Sequence, residues 1–555
     1  MFDWSSLLRI VVFLPTVGAV AIALFGSRRA EAERSFSRWT ALVTSLLALV
    51  LTVLLVGAFP AGADEFAVSE TSLWFGDTAG RVDVSFSLGL DGLSLWLFGL
   101  TSLLMILAIA VSWKAIDRYC RAYYALLLVL QTGMTGVFCA RDIILFYVFF
   151  EATLIPLFFL IGVWGSSERR YAAIKFFLFT LAGSVLTFLG LLAVVWWNFE
   201  HSSAMTFSIP ELTEGLVKHP MPVPLQVVVF AALFAGFAVK VPLFPLHTWL
   251  PLAHVEAPTA GSVLLAGVLL KIGTYGFVRL SLPLLPDAAV ICMPWMLGLS
   301  AAGIIYGALV ALAQSDIKRL IAYSSVSHLG FCMLGIFALN RTGIDGGVLQ
   351  MINHGLSTGG LFALVGMLYE RYHTREIKAY SGLARRLPVL SFFMLLMTLS
   401  SIGLPGMNGF AGELLILVGA FQRAWAQDLT GPAIVYRAVS VLAVFGVVLG
   451  AWYMLWMFQR VFFGPVREPA VEHHRGQEEP IRDLSSREVA SLVPLVVLIF
   501  WIGLQPSFFL ERMGPTLDRL TVGAMRLSDG EERLHAVELI SQPGALPRGE
   551  ESRDE

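Results

Sequence analysis

Charge is what this sequence has least of. Asp, Glu, Lys and Arg make up 14% of its 555 residues, against about 25% in soluble globular proteins. That deficit excludes both a string of ordinary soluble domains and a disordered chain. Neither sign dominates. The 38 Lys and Arg stand against 40 Asp and Glu, a formal net charge of -2, which excludes a strongly basic nucleic-acid binder. Cysteine is scarce. Cys120, Cys139, Cys292 and Cys332 form no C-x-x-C pair and sit in or beside apolar runs, so a disulfide framework, a structural zinc and an iron–sulfur site are not expected. No G-x-G-x-x-G follows a strand-like run, so no dinucleotide site is expected. No metal and no cofactor is expected in this chain.

What is abundant is apolar sequence, 57% of the residues. A membrane crossing needs roughly 20 mostly apolar residues, and about fourteen such runs can be read. They are rich in Leu, Val and Phe without alternation, which predicts an all-α integral membrane protein rather than a barrel. The first run is not followed by a small-residue cleavage site, so it is read as a crossing and not as a signal peptide. Basic residues sort by loop. One alternate set holds Arg28, Arg34, Arg38, Lys114, Arg118, Arg169, Lys175, Lys318, Arg371, Arg375 and Arg460 among others; the opposite set holds only Arg81, Arg141, Lys218, Arg279, Arg341, Arg423 and Arg437. The positive-inside rule makes the first set cytoplasmic and puts both termini on the outer face of a bacterial cytoplasmic membrane. In the first outer loop, Val82 to Leu88 alternates apolar and polar and predicts a short strand. The inner loop 459–487 is polar and expected to be partly helical, and the charged tail from 513 is expected to end in disorder.

Subtracting the loops leaves few charges inside the crossings: Glu151, Lys240, Lys271 and Glu413, with His328 and His354. An ionisable group at the bilayer centre costs at least ~2.5–3.5 kcal/mol, and such groups mark ion or proton paths. Each could instead be a private contact between helices, but folding does not require both signs in such number. Desolvation and a neighbouring opposite charge act in opposite directions on a buried acid or base, so pairing and unpairing can load and unload a proton, and imidazoles can relay it. Two of these residues adjoin predicted breaks. Lys240 is followed by Pro242 and Pro245, and Glu413 by sequence follows Gly403, Pro405, Gly406 and Gly409. Proline and glycine interrupt helices, and irregular backbone at membrane depth is tolerated only where it is buried in protein or lines a cavity. The breaks fall in the seventh and twelfth crossings. Five is odd, so a five-helix unit repeated directly comes back inverted, a known transporter plan. The expected division is 1–121 (three helices and an outer loop), 122–280 and 281–463 (the two inverted repeats), 464–512 (inner loop and last helix) and 513–555 (polar tail).

At these residues the chain resembles the antiporter-like membrane subunits of respiratory complex I. The resemblance is carried by Glu151 in Phe146–Pro156, the run from Lys240 through His247 and Trp249 to Pro251, and His254 through Val263. Lys271–Gly276, Ser324–Gly330 with His328, Asn353-His354-Gly355 and Gly409–Glu413 follow in order. It covers about residues 85 to 510 and implies fourteen helices with two inverted five-helix repeats. It further implies a proton path in which Glu151 pairs with Lys240, Lys271 is the central relay, His328 and His354 continue it, and Glu413 ends it. Quinone and redox centres are implied to lie in other membrane-arm and peripheral-arm subunits, which would be the partners, with the lipid bilayer. The activity implied is that of a proton-translocating oxidoreductase subunit; multi-subunit cation/proton antiporters and membrane-bound hydrogenases share the fold and are the alternative. Leu252 departs from the family pattern, which has an acid there. Glu472, His473 and His474 read as solvated rather than metal-binding, and His247 and His254 as inner-loop residues at a proton entrance or at headgroup level.

Overall fold

Long apolar runs with no water to satisfy their peptide groups are driven into helices, and the computed structural model of this chain is built almost wholly of them. It describes residues 4–25, 30–63, 68–76, 82–202, 205–426, 432–469 and 481–529. Among the described residues, thirteen helices are long and apolar enough to cross a membrane. In chain order the first six are Trp4–Phe25, Ala30–Ala58, Gly92–Ala115, Cys120–Cys139, Ile143–Trp164 and Arg169–Ser202. Val223–Lys240, Thr259–Leu284, Pro286–Leu312, Ile317–Phe337 and Arg341–Tyr372 are the seventh to eleventh. Ala433–Phe462 and Ser486–Leu504 are the thirteenth and fourteenth. The twelfth crossing is assembled from two pieces, Pro388–Ser401 and Asn408–Ala424, so the count of fourteen holds.

The sequence sets where several crossings begin. Asp91, Asp142, Asp316 and Asn340 each accept a backbone N–H from the first turn of the helix that follows, and Ser485 with Glu488 closes a reciprocal cap on the fourteenth crossing. Such caps satisfy donors that a helix start leaves open. The predicted strand is present and longer: β1 (Val68–Gly76) pairs antiparallel with β2 (Val82–Leu90), and β3 (Met205–Thr206) adds to β2 in parallel.

Loops assigned to one face bond to one another. Trp164 Nε1 donates to Arg118 O, Glu168 N to Glu256 Oε2, Ile317 N to Arg375 O, and Ser381 exchanges backbone bonds with Arg467. At the other ends Arg141 N donates to Ser87 O, Ile209 N to Arg141 O, and Asn340 Nδ2 to Gly419 O. A missed helix would have mixed the two sets. Burial is graded across the bundle: the sampled stretches of the eighth and eleventh crossings are 100% buried, those of the second, thirteenth and fourteenth 33%. The eighth and eleventh are therefore the centre, and they carry Lys271 and His354.

One expectation needs correction. The boundary at 513 falls inside a helix, Ser507–Ser528, which packs Phe509, Met513, Leu517 and Ala524 against the bundle and bonds to it through Arg519–Asp91 (3.8 Å) and Arg423–Asp529 (2.9 Å). Its amphipathic pattern was too polar to read as a crossing and too short of special residues to read as anything else. The inner loop 459–487 is helical at its edges, 459–462 and 486–487, and non-helical over 463–469 and 481–485; residues 470–480 lie outside the described residues. Glu472, His473, His474 and the tail from 530 lie outside the described residues.

Candidate functional site

Crossing seven stops where the prolines predict. Its helix ends at Lys240, and the chain resumes as a short helix, Leu250–Glu256. Trp249 closes the gap by donating its indole N–H to Val239 O at 2.9 Å, which gives one freed carbonyl a partner. Crossing twelve breaks between Ser401 and Asn408. Gly403 lies there at φ +70°, and a side chain on it would come within 2.7 Å of Glu413 Oε2. Glycine both permits the turn and leaves room for the carboxylate.

Crossing eight is continuous but not uniform. Two π turns, Leu265–Leu269 and Phe277–Ser281, bracket the α-helical stretch Leu270–Gly276 that carries Lys271. The Lys271 ammonium turns back to donate to Ala266 O. On crossing eleven Gly355 sits so close to crossing eight that a Cβ there would lie 2.7 Å from Gly267 O. That approach brings His354 Nδ1 to 2.6 Å from Lys271 Nζ.

From His354 the groups continue. The His354 and His328 rings lie 5.6 Å apart between centroids. His328 Nδ1 is 3.4 Å from Glu413 Oε1, and its Nε2 is 3.3 Å from Ser401 Oγ. Gln350 Nε2 donates to the same Glu413 oxygen at 3.1 Å. Asn353 donates to Gln350 Oε1 and to Asn408 O, and Ser400 Oγ donates to Asn408 Oδ1 at 2.6 Å. Lys271, His354, His328 and Glu413 are all buried. The sequence reading gave no role to Gln350, Asn353, Ser400, Ser401 and Asn408. Their signal was polar side chains three or four residues apart in otherwise apolar helices (Gln350, Asn353 and Ser357 follow one face with His354), a pattern that searching for charge alone passes over.

The other two residues stand apart. Glu151 and Lys240 do not form an ion pair: the Lys240 ammonium lies over the Phe150 ring, 4.5 Å from its centroid. Glu151 is only half-buried and acts on Lys240 electrostatically from beyond contact distance. A buried phenyl face is a partner for a desolvated cation, and it takes the place expected for the carboxylate. The small void beside Lys240 is lined by Leu157, Phe176, Trp249, Leu265, Leu269 and Leu270 and has no room for a water molecule.

Charges assigned to loops prove to be buried as well. Arg279, on the eighth crossing, makes a two-pronged pair with Asp91 at 2.6 and 2.7 Å. Both are within 1% of full burial. Burial pushes the Asp91 carboxyl up, but Arg279 outweighs this and holds it below the usual carboxylate range. Lys318 donates to Ala257 O at 2.6 Å at the C-terminal end of the Leu250–Glu256 helix, and Arg375 to Val255 O at 2.7 Å. Cations are favoured at that end of a helix. His254 is not exposed in a loop: it is fully buried and stacked on Phe362 at 4.5 Å. Arg279, Lys318 and His254 were misplaced because they sit within about a turn of a predicted helix end, where boundaries are least certain; Arg375 is part-buried and lies in the loop where it was expected. Among the described residues no group of three or more His, Cys, Asp or Glu is placed to hold a metal.

Residues 140–450 match the family described as NADH:quinone oxidoreductase/Mrp antiporter, transmembrane. The chain belongs to this family. Among its members, NADH-quinone oxidoreductase subunit M of Rhodobacter capsulatus is 40% identical over 529 residues, 93% of this chain and 96% of that one. A chain of respiratory complex I from Thermus thermophilus with bound NADH superimposes with a TM-score of 0.79 at 32% identity, over 93% of this chain and 99% of that one. A chain of the Mrp complex from Dietzia sp. reaches a TM-score of 0.74 over 96% of this chain and 55% of that one. At 22% identity that likeness is one of fold.

Proposed function

We propose that this chain is a proton-translocating membrane subunit of a respiratory NADH:quinone oxidoreductase, moving protons along a buried axis while electrons pass through other subunits. One observation carries the reading: Lys271, His354, His328 and Glu413 form a run of buried titratable groups through the centre of the bundle. Its relatives named as complex I subunits align along nearly their whole length. The membrane-arm and peripheral-arm subunits of that complex are the partners in this reading, and the excess of basic residues in alternate loops supports termini on the outer face.

The chemistry follows from the contacts. Lys271 is both held by Ala266 O and in contact with a ring nitrogen of His354, so a proton leaving the ammonium has an acceptor already in place. An imidazole takes a proton on one nitrogen and releases it from the other, which carries it toward His328 and then to Glu413 Oε1. Gln350, donating to that same oxygen, stabilises the ionised carboxylate. Glu151 and Lys240 form the input side, where the charge state of one sets the potential felt by the other. The five-helix inverted repeats remain part of this reading, supported by the placing of the two breaks. A cation/proton antiporter or hydrogenase subunit is the alternative, and it has the weaker support, a neighbour at 22% identity.

The test is proton uptake by vesicles containing the assembled complex. Lys271→Arg keeps the charge but holds its proton too firmly, with a pKa above ~12, and Lys271→Ala removes it. Both are expected to assemble and to lose most translocation. An arginine variant that pumps normally rejects Lys271 as a titrating relay and leaves it a fixed cation.

A further inference from the structure

Lys271 is positioned from one side by crossing eleven. On its outer side, the same helix face carries Tyr275 and Arg279, four and eight residues on. Arg279 Nε donates to Tyr275 Oη at 3.0 Å, and Tyr275 Oη donates to Phe138 O at 3.1 Å. The guanidinium's remaining donors close on Asp91, whose carboxylate also caps the third crossing through Ser94 N. Asp91 is further approached by Arg519 of the C-terminal helix at 3.8 Å, and Gly92 N donates to Thr516 Oγ1. One fully buried carboxylate thus fixes the eighth crossing to the third, with the C-terminal helix lying over both. Arg279 sits inside the second π turn, Phe277–Ser281. π turns are rare overall and frequent at functional sites, and a bidentate Arg–carboxylate pair fixes both distance and plane.

We propose that Asp91 and Arg279 are positioning residues for proton transfer, setting the rotation and height of the eighth crossing and so the contact of Lys271 with His354. The inference rests on the role given above to Lys271. Lys271 and Arg279 lie about 12 Å apart along the helix, beyond direct contact, so the Asp91–Arg279 pair acts through the backbone between the two π turns. A bond as short as the Lys271–His354 contact tolerates little displacement, and a shift on the order of 1 Å can cost a factor of ~100 in a transfer step.

The measurement is protons taken up per NADH oxidised by the assembled complex in vesicles, with assembly scored separately. Asp91→Asn keeps the shape and the cap and breaks the ion pair. It is expected to lower the ratio about tenfold in the complex that forms, with Asp91→Glu, which restores the charge, recovering at least half. Should Arg279, buried without its carboxylate partner Asp91, prevent assembly, Asp91→Asn combined with Arg279→Gln removes both charges and is expected to assemble with the same low ratio. A parental ratio in either assembled variant makes the pair scaffold only and overturns the proposal, while leaving the Lys271 reading intact. Failure of both to assemble also overturns it. A normal ratio in Lys271→Arg would instead sink the reading beneath it, whatever Asp91 does.

Discussion

Between Lys271 and Glu413 every step ends on a titratable side chain, whereas between Glu151 and Lys271 the neighbours are Phe150 and a group of leucines. The first stretch is lined by Gln350, Asn353, Ser401 and Asn408, whose hydrogen bonds are satisfied mostly by one another. In the second, no hydrogen bond or ion pair among the described residues joins Glu151 to Lys240 or Lys240 to Lys271. The difference separates two jobs. A polar stretch with a titratable group at each stage needs only small side-chain movements to pass a proton, while a dry one acts as insulation until water enters or a larger displacement occurs. A pump needs both, because a path conducting along its whole length at all times would dissipate the gradient it builds.

The largest effect is expected from breaking the connected stretch. His354→Leu removes the acceptor beside Lys271, and proton uptake should fall about 100-fold in assembled complex, the scale of a lost acid–base group. A variant that pumps at half the parental rate would mean protons bypass the imidazoles. Next is Glu151→Gln, which keeps shape and removes charge; uptake and coupled NADH–quinone activity should drop about tenfold with assembly retained. Because Glu151 and Lys240 are not in contact, exchanging them as Glu151→Lys with Lys240→Glu should recover assembly but not pumping, and recovery of both would show that a simple charge pair suffices. A smaller effect should follow from wetting the insulation. Leu269→Gln puts a polar group beside the void, and passive proton leak through de-energised vesicles should rise a few-fold, roughly what a new water-bridged contact allows. An unchanged leak would show that the leucines are not the barrier.

The smallest effect concerns Asp142, outside the crossings. It joins the sheet to the start of the helix bearing Glu151, accepting from Ser85 N, Ile144 N and Leu145 N. Burial pushes its carboxyl up to about 6, against the pull of those three amides. A folded-state pKa above the unfolded value favours folding at low pH. The contribution is complete below about 4 and is lost as pH rises through about 6. Asp142→Asn should therefore flatten that part of the stability curve, shifting the melting temperature of the purified protein relative to the parent by a few degrees between those limits. Parallel curves for the two proteins would remove Asp142 from the account.

Much of this molecule could be read from residues that apolar sequence makes conspicuous. Lys271 and Glu413 stand out because almost nothing nearby is charged, and Pro242 and Pro245 announce the end of the helix at Lys240. The contacts were harder. Asp91 meets Arg279 across 188 positions, and no local pattern marks such a pair. The Glu151–Lys240 pairing was implied by the family resemblance, but an aromatic face competed with the carboxylate and holds the ammonium. The π turns around Lys271 have no compositional signature at all, since Leu265–Leu269 reads as any buried helix.

Those turns have a mechanical consequence. A helix of uniform pitch can rotate a side chain only by turning from end to end, and the ends of crossing eight are fixed, by Arg279 near one and by the tied loops at the other. A π turn holds slack, one residue more than the regular winding, and here slack lies on both sides of the lysine. Passing that surplus from one turn to the other would swivel the seven residues Leu270–Gly276 by roughly the 100° that separates neighbours on a helix, while the termini stay still. Any movement of the lysine is thereby confined to two turns of backbone in mid-membrane, a bearing set into a shaft whose mountings do not move.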